Sequence, residues 1–215
     1  QATFLVYQGL VTLEPNLNLA PCLAVSWQAS AGGTEWTFNL RKGVKFHDGS
    51  EFKANDVKVS FERIMHEKGT SYWQENLVKI ECPDEYTVKF ALTKPNYLFP
   101  NLLTHYDSAI ISDTALDAEG KIVKPIGTGP FVFEDCQKDN KIVLKANKDY
   151  WDGAPRLKGV VLRVIPDPDV AVSALEAGEI DMTLLFQSVT HAPRVKQNPD
   201  LKLMSTVGVV DERLI

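Results

Sequence analysis

Cysteine is scarce in this sequence, and the three cysteines, Cys22, Cys82 and Cys136, lie far apart. No CxxC pair occurs, so the sequence does not indicate a zinc site or a thioredoxin-like redox site. At most one internal disulfide bond can form. Because free cysteines are usually buried among apolar side chains, we expect buried thiols with a structural role.

Long apolar runs and clusters of basic residues are also missing. No segment approaches the roughly 18 consecutive apolar residues of a membrane-spanning helix. The 215 residues carry 23 Lys and Arg against 28 Asp and Glu, and the net charge is −5. That balance gives no general attraction to nucleic acid, so we expect no nucleic-acid partner. The length is enough for one or two domains.

The two ends of the chain have no recognisable processing signals. The opening QATFLVYQGL lacks the basic region and the small-residue cleavage site of a signal peptide. The chain begins with Gln rather than Met and stops at DERLI, without capping or tail-like composition. We expect it to be processed or cut from something longer.

Catalytic motifs are absent as well. The four histidines are far apart without an HExxH pair, and no serine lies in a GxSxG turn. The acidic residues are scattered, as on a solvated surface. The sequence therefore predicts no enzyme, no cofactor and no metal site. A hydrolase that uses Cys136 or a histidine such as His105 is the alternative from a different class of protein.

The first 125 residues read mainly as strands with one clear helix. Residues 36–40 alternate apolar and polar side chains, which predicts a half-buried strand. Residues 78–92 read as two strands joined by a Pro-Asp-Glu turn. Apolar residues recur at helical spacing over residues 55–65, with Asn55 as the predicted N-cap. Residues 3–11 fit either a buried strand or a short helix.

The pattern changes near residue 127 to a compact series of strands and helices, which predicts two domains or subdomains joined there. Asp167 is the predicted N-cap of one helix, with Pro168 at its first position and Gly178 just past its end. The predicted elements are a hairpin over 130–147, an apolar strand over 156–166 covered on both faces, a helix over 167–178, a strand over 179–186, a helix over 192–200 and a strand over 201–206.

The stretch PIGTGPF contains Gly127, Thr128 and Gly129 and resembles a phosphate-binding loop only superficially. It lacks the spacing of either glycine-rich phosphate motif, and Pro130 removes a backbone N–H that a phosphate would need. Both phosphate motifs lead into a helix, whereas an apolar strand follows this stretch. We expect a sharp reversal with glycine at positive φ.

Aromatic residues lie in two otherwise polar loops. Tyr72 and Trp73 lie in GTSYWQEN, and Tyr106 lies in THYDS. Such residues either line a ligand pocket or seal the edge of the core, and the sequence alone does not decide between them.

Several segments together resemble the family 5 extracytoplasmic solute-binding proteins, which serve peptide and nickel ABC importers. They are PCLAVSW, WTFNLRKGVKFHDG, ANDV, PIGTGPF, NKDYWDGAPRLKGVVLRVIPD and ALEAGEIDM, in the family's order. The resemblance implies a mixed α/β fold, namely the first lobe of a type II periplasmic-binding-protein-like structure with an accessory β-rich subdomain and without the second lobe. It implies that residues 1–9 and 126–215 belong to the first ligand-binding lobe and residues 10–125 to the accessory subdomain.

The resemblance also implies a function. Members capture a solute in a cleft between two lobes and deliver it to a membrane permease. Peptides are the expected ligand, and a nickel chelate or another small solute, such as a sugar or haem, is the alternative. The positions that hold arginine in the nickel branch are Thr70 and Ala109 here, which argues mildly against an anionic chelate. We expect a monomer that lies in the periplasm or at the cell surface, with lipid anchoring of the full-length protein left open.

The resemblance and the aromatic loops together suggest which residues lie near the cleft. Gly127 and Gly129 are expected to shape the backbone beside it, and ligand contact by Thr128 stays open. The candidate ligand-binding residues are Tyr72, Trp73, His105, Tyr106, Asp107 and Phe186.

Overall fold

A computed structural model describes residues 3–66, 72–184 and 189–204. The chain forms two compact units, residues 1–135 with 142–161 and residues 136–141 with 162–215. These boundaries differ from those of the lobe and the accessory subdomain that the sequence suggested. That division stays a prediction.

The strands form three sheets, with orders β1-β2, β3-β4-β6-β5 and β7-β8-β9. The strands are β1 (Val11–Leu13), β2 (Leu19–Pro21), β3 (Ala24–Ala29), β4 (Glu35–Leu40), β5 (Leu77–Asp84), β6 (Thr87–Leu92), β7 (Phe131–Gln137), β8 (Lys141–Ala146) and β9 (Gly159–Arg163). The helices are α1 (Thr3–Val6), α2 (Ala54–His66), α3 (Tyr72–Asn76), α4 (Phe99–Leu102), α5 (Pro168–Glu176) and α6 (Ala192–Gln197). None of the described helices has the length and apolar character that crossing a membrane requires.

The four-stranded antiparallel sheet of the first unit carries the hydrophobic core. In β4, Trp36, Phe38 and Leu40 are all buried, which confirms the predicted alternation. Phe61 of α2 meets Phe90 of β6 edge-on, with the ring centroids 5.1 Å apart. Helix α2 therefore covers the apolar face of the sheet. The two predicted strands over 78–92 are confirmed as β5 and β6.

Helix α2 begins two residues earlier than an N-cap at Asn55 would allow, so the prediction of Asn55 as its N-cap is wrong. The helix starts at Ala54, and the carboxylate of Asp56 accepts a 2.8 Å hydrogen bond from the backbone N–H of Lys53. An acid in the first turn that bonds back to the preceding N–H satisfies a donor the helix cannot use itself. Asn55 itself is exposed.

Burial of Asp56, which is 6% exposed, raises the pKa of its carboxyl to about 6. Because the folded-state pKa is raised, the stability that this group contributes is fully present below its unfolded pKa and is lost as the pH rises through about 6. In the wild type, we expect this group to lower the free energy of unfolding as the pH rises from about 4 to about 7. We expect Asp56→Asn to lack that contribution, because asparagine does not titrate. Urea denaturation across that range tests this, and equal pH dependence in both proteins would contradict it.

The region after residue 130 confirms the predicted hairpin as β7 and β8, with Asp139 in the turn at φ 58°. The predicted burial of the following strand on both faces is wrong, because β9 alternates exposed and half-buried residues and Val161 is 56% exposed. A strand is buried only where another layer packs on it, and apolar composition does not reveal whether that layer is present.

Helix α5 is capped as predicted, since the side chain of Asp167 accepts from the N–H groups of Asp169 and Val170. Pro168 occupies the first turn, and Gly178 follows the helix at φ 72°. The predicted helix near residue 192 is confirmed as α6.

The strands predicted over 179–186 and 201–206 do not form within the described residues 179–184 and 201–204. A strand needs a neighbour to satisfy its backbone, so apolar alternation alone is not sufficient. The rest of both segments lies outside the described residues.

Candidate functional site

The glycine segment, Gly127–Gly129, runs directly against the end of α1. The N–H of Gly129 donates to the carbonyl of Val6 at 2.9 Å. A Cβ on Gly127 would lie 2.1 Å from that same oxygen, and a Cβ on Gly129 would lie 2.5 Å from the carbonyl oxygen of Leu5. Neither glycine has positive φ, so that expectation is wrong. The segment needs glycine because no side chain fits between the two backbones.

Thr128, between the two glycines, is fully buried and bonds to a half-buried network around the Gln8 amide. Its hydroxyl donates to Oε1 of Gln8 at 3.2 Å, and the indole N–H of Trp151 donates to the same oxygen at 2.7 Å. The Gln8 amide in turn donates to the Tyr150 hydroxyl at 2.7 Å. Burial raises the pKa of that hydroxyl to about 12. Thr128 thus has a structural partner.

Sequence reasoning missed Gln8, Tyr150 and Trp151. The available signal was the aromatic pair inside the polar stretch NKDYWDG. The guanidinium of Arg41 stacks on the Trp151 ring, 4.4 Å from its centroid, and Nε of Arg41 donates to the carbonyl of Cys22. These contacts join the start of the chain, Arg41 just after β4 and the turn after β8 around the glycine segment.

The residues predicted at 105–107 form one partly exposed cluster, which we call the His105 loop (His105–Asp107). Nδ1 of His105 lies 3.2 Å from Oδ2 of Asp107, and the ring centroids of His105 and Tyr106 are 4.1 Å apart. Tyr106 is 39% exposed. The loop therefore offers a carboxylate, an imidazole and an aromatic ring at one place on the surface.

The residues on both sides of the His105 loop contact Gln8 and Gly9, next to the residues that contact the glycine segment. The N–H of Ile110 donates to the carbonyl of Gln8 at 2.9 Å. A Cβ on Gly9 would lie 3.0 Å from the carbonyl oxygen of Leu103, so the chains approach closely there too. Gln8 thus contacts the glycine segment through its side chain and Ile110, three residues after the His105 loop, through its backbone.

The other three ligand-binding candidates lie elsewhere. Trp73 is 3% exposed and packs edge-on against Phe61 and Phe99, with ring centroids 5.2 and 6.0 Å away. It therefore seals the core, which was one of the two alternatives. Tyr72 is the first residue of α3, and its side chain lies outside the described part of the structure. Phe186 lies outside the described residues.

The cysteines differ from one another. Cys22 is buried, Cys82 is half-buried, Cys136 is exposed, and all three are free thiols. The expectation of uniformly buried thiols is therefore wrong for Cys136, because it lies on the exposed part of β7. Burial raises the pKa of Cys22 to about 11 and also raises that of Cys82, which disfavours the reactive thiolate.

No group of three or more His, Cys, Asp and Glu side chains in the described ranges is placed to hold a metal ion. A cavity of about 500 Å³ lies between residues 43–49 and residues 147–150. It adjoins the network around the glycine segment.

The chain resembles type II periplasmic binding proteins: it matches the Helicobacter pylori periplasmic binding protein DppA, solved with the peptide STSA, with a TM-score of 0.79 and 33% identity over 91% of this chain and 43% of that one. NikA from Brucella suis, solved with Fe(III)-EDTA, matches with a TM-score of 0.78 and 33% identity over 83% of this chain and 37% of that one.

The family follows from the sequence. Residues 18–212 match the family model described as bacterial extracellular solute-binding proteins, family 5 middle, and the chain belongs to that family. The glutathione-binding protein GsiB of Shigella flexneri is 32% identical over 211 residues, which are 95% of this chain and 41% of that protein. The chain thus spans less than half the length of the curated relatives it matches. The resemblance found in the sequence is confirmed.

Proposed function

We propose that the chain is the first-lobe part of an extracytoplasmic receptor that captures peptides and delivers them to the membrane permease of an ABC importer. The observation that carries the proposal is the family match over residues 18–212. In this proposal residues 1–9 and 126–215 contribute to the first lobe and residues 10–125 form an accessory subdomain. The receptor acts as a monomer outside the cytoplasm, and the second lobe completes the cleft.

The His105 loop is the part of the described chain that we assign to the ligand. Side chains of His105 and Asp107 are 38% and 41% exposed, and the backbone three residues further on, at Ile110, bonds to Gln8. A carboxylate accepts hydrogen bonds from peptide N–H groups or an ammonium group, and an aromatic face packs on apolar side chains. Tyr72 and Phe186 remain in the proposed ligand set on sequence grounds, whereas Trp73 and Thr128 support the site from the interior.

Peptide is favoured over an anionic metal chelate because of the charges on this loop. An anionic chelate needs cationic partners, and Asp107 would repel it. Ala109, which follows the 3₁₀ turn Tyr106–Ser108, carries no charge. The NikA structure with Fe(III)-EDTA keeps a chelate as the second candidate ligand.

Isothermal titration calorimetry tests the ligand class on the longest natural polypeptide that contains this chain. We titrate di- and tripeptides, glutathione, Fe(III)-EDTA, a nickel–histidine complex, haemin and a disaccharide in parallel. We expect heat from the peptides. Binding of haemin, the chelates or the sugar alone would reject peptide as the ligand, and no response to any of them would reject the receptor function.

Replacing Asp107 with Asn tests the His105 loop. Loss of a hydrogen bond to a charged group is expected to weaken peptide binding by roughly tenfold or more. Asp139→Asn is the matched control, because Asp139 is exposed in the β7–β8 turn at a φ that Asn tolerates. Equal affinities for Asp107→Asn and the wild type would remove the loop from the site.

A further inference from the structure

His47 fastens the loop over residues 42–51, here the 42–51 loop, to the glycine segment through three hydrogen bonds. Its backbone N–H donates to the carbonyl of Gly127 at 2.9 Å. Its Nε2 lies 2.9 Å from the carbonyl oxygen of Gly129. Its Nδ1 lies 3.4 Å from the N–H of Gly127, which donates to it. One residue thus contacts both ends of the glycine segment.

These partners select one protonation state of the ring. A carbonyl oxygen only accepts, so Nε2 carries a hydrogen, and the Gly127 N–H only donates, so Nδ1 carries a lone pair. The bonds therefore fit the neutral imidazole with its hydrogen on Nε2. A second proton on Nδ1 would face the Gly127 N–H, placing two donors against each other and leaving one of them without an acceptor.

The surroundings of the ring have opposing effects on the pKa of His47. Burial lowers the pKa of His47 below its usual value, while the Gly129 carbonyl and the Asp48 carboxylate act to raise it. The titratable groups that share the cavity with His47 are Lys45, Asp149 and Tyr150, and the Tyr7 ring lies beside Gly127. Because His47 is half-buried and lines that cavity, solvent protons reach the ring.

We propose that His47 is a proton-operated clasp, which holds the 42–51 loop on the glycine segment while the imidazole is neutral and releases it when Nδ1 takes up a proton. The release loosens a segment that also bonds to Val6 and Gln8. The clasp thereby makes the contacts of the glycine segment with Val6 and Gln8 sensitive to acid. It stands whether or not the solute is a peptide, because it rests only on contacts within the chain.

The direction of the pH effect follows from linkage. Because the folded-state pKa of His47 is lowered, the stability that the neutral ring provides is complete above its unfolded pKa, about 6.5. It is lost as the pH falls through the folded-state pKa. We therefore expect the contact to open on the acidic side, in the range where histidine serves as a switch.

Nuclear magnetic resonance of the isotopically labelled chain tests the clasp. At neutral pH we expect the ¹⁵N shifts of His47 to report a hydrogen on Nε2, with a titration midpoint below about 6.5. The protection factor of the His47 amide against hydrogen exchange should fall at least about tenfold between about pH 7.5 and about pH 5. Amides in the centre of the β3-β4-β6-β5 sheet should keep their protection.

His47→Gln is the informative variant, because glutamine can donate to the Gly129 carbonyl but does not titrate. Its amide at residue 47 should show the same protection at both pH values. His191→Gln, in the second compact unit, is the control and should keep the wild-type fall. If His47→Gln does not fold, the wild-type titration decides alone. A His47 midpoint above about 6.5, or unchanged wild-type protection at the lower pH, overturns the proposal.

Discussion

Replacing Gly127 with alanine is expected to lower the free energy of unfolding by about 3 kcal/mol or more, at or beyond the upper end of ordinary overpacking. The added Cβ would lie 2.1 Å from the carbonyl oxygen of Val6 and 2.8 Å from the Tyr7 ring. The obstructing oxygen belongs to the backbone, so no rotamer change relieves the clash. The two segments must separate, and the Gly129 N–H bond to Val6 is lost with the close approach.

Urea denaturation followed by circular dichroism measures this change. Gly32→Ala is the matched control, because Gly32 has no positive φ and its nearest neighbour, Thr34 Oγ1, would lie 3.7 Å from the new Cβ. That substitution is expected to be neutral or to stabilise by up to about 1 kcal/mol. If Gly127→Ala also stays within about 1 kcal/mol of the wild type, the glycine segment does not need its close contact with α1.

Replacing Trp73 with alanine is expected to lower the free energy of unfolding by about 3–5 kcal/mol, as for other large buried aromatic side chains. Trp73 fills the space between Phe61 of α2 and Phe99 of α4. Truncation removes both ring contacts and leaves a cavity lined by aromatic side chains. The free energy of unfolding is therefore expected to fall in the absence of any ligand.

Two further variants separate the core role of Trp73 from a ligand role. Trp73→Phe keeps an aromatic ring in the core and should lose much less stability than Trp73→Ala. Leu98→Ala, at a residue that is 66% exposed, should change the free energy of unfolding by less than about 0.5 kcal/mol. A Trp73→Ala protein that is as stable as the wild type but binds solute more weakly would reinstate Trp73 as a ligand residue.

The elements that the sequence predicted well are those with strong local signals. The alternation around Phe38 predicted β4, the helical spacing around Phe61 predicted α2, and Asp167 with Gly178 marked the ends of α5. Each of these signals depends on neighbours within a few residues along the chain. The N-cap at Asn55 failed because the carboxylate of Asp56 bonds back to Lys53, which moves the start of the helix.

The candidate site residues likewise differ in how much the local sequence reveals about them. The sequence named residues 105–107 as candidate ligand residues, and the structure brings their three side chains together at a partly exposed position. The same reasoning did not distinguish Trp73, which comes from an equally polar stretch but lies in the core. Nothing in the local sequence reports that Phe61 and Phe99 meet there.

By itself, the sequence determined the family, the strands and helices with local signals, and the exclusion of a phosphate loop at PIGTGPF. The tertiary structure alone decided why Gly127 and Gly129 are glycines and what Thr128 and His47 contact. The glycine segment contacts Val6 and Gln8, which lie about 120 positions earlier in the chain, and His47, which lies about 80 positions earlier. Hydrogen bonds and close backbone contacts over such separations form only when the chain folds, and no local pattern encodes them.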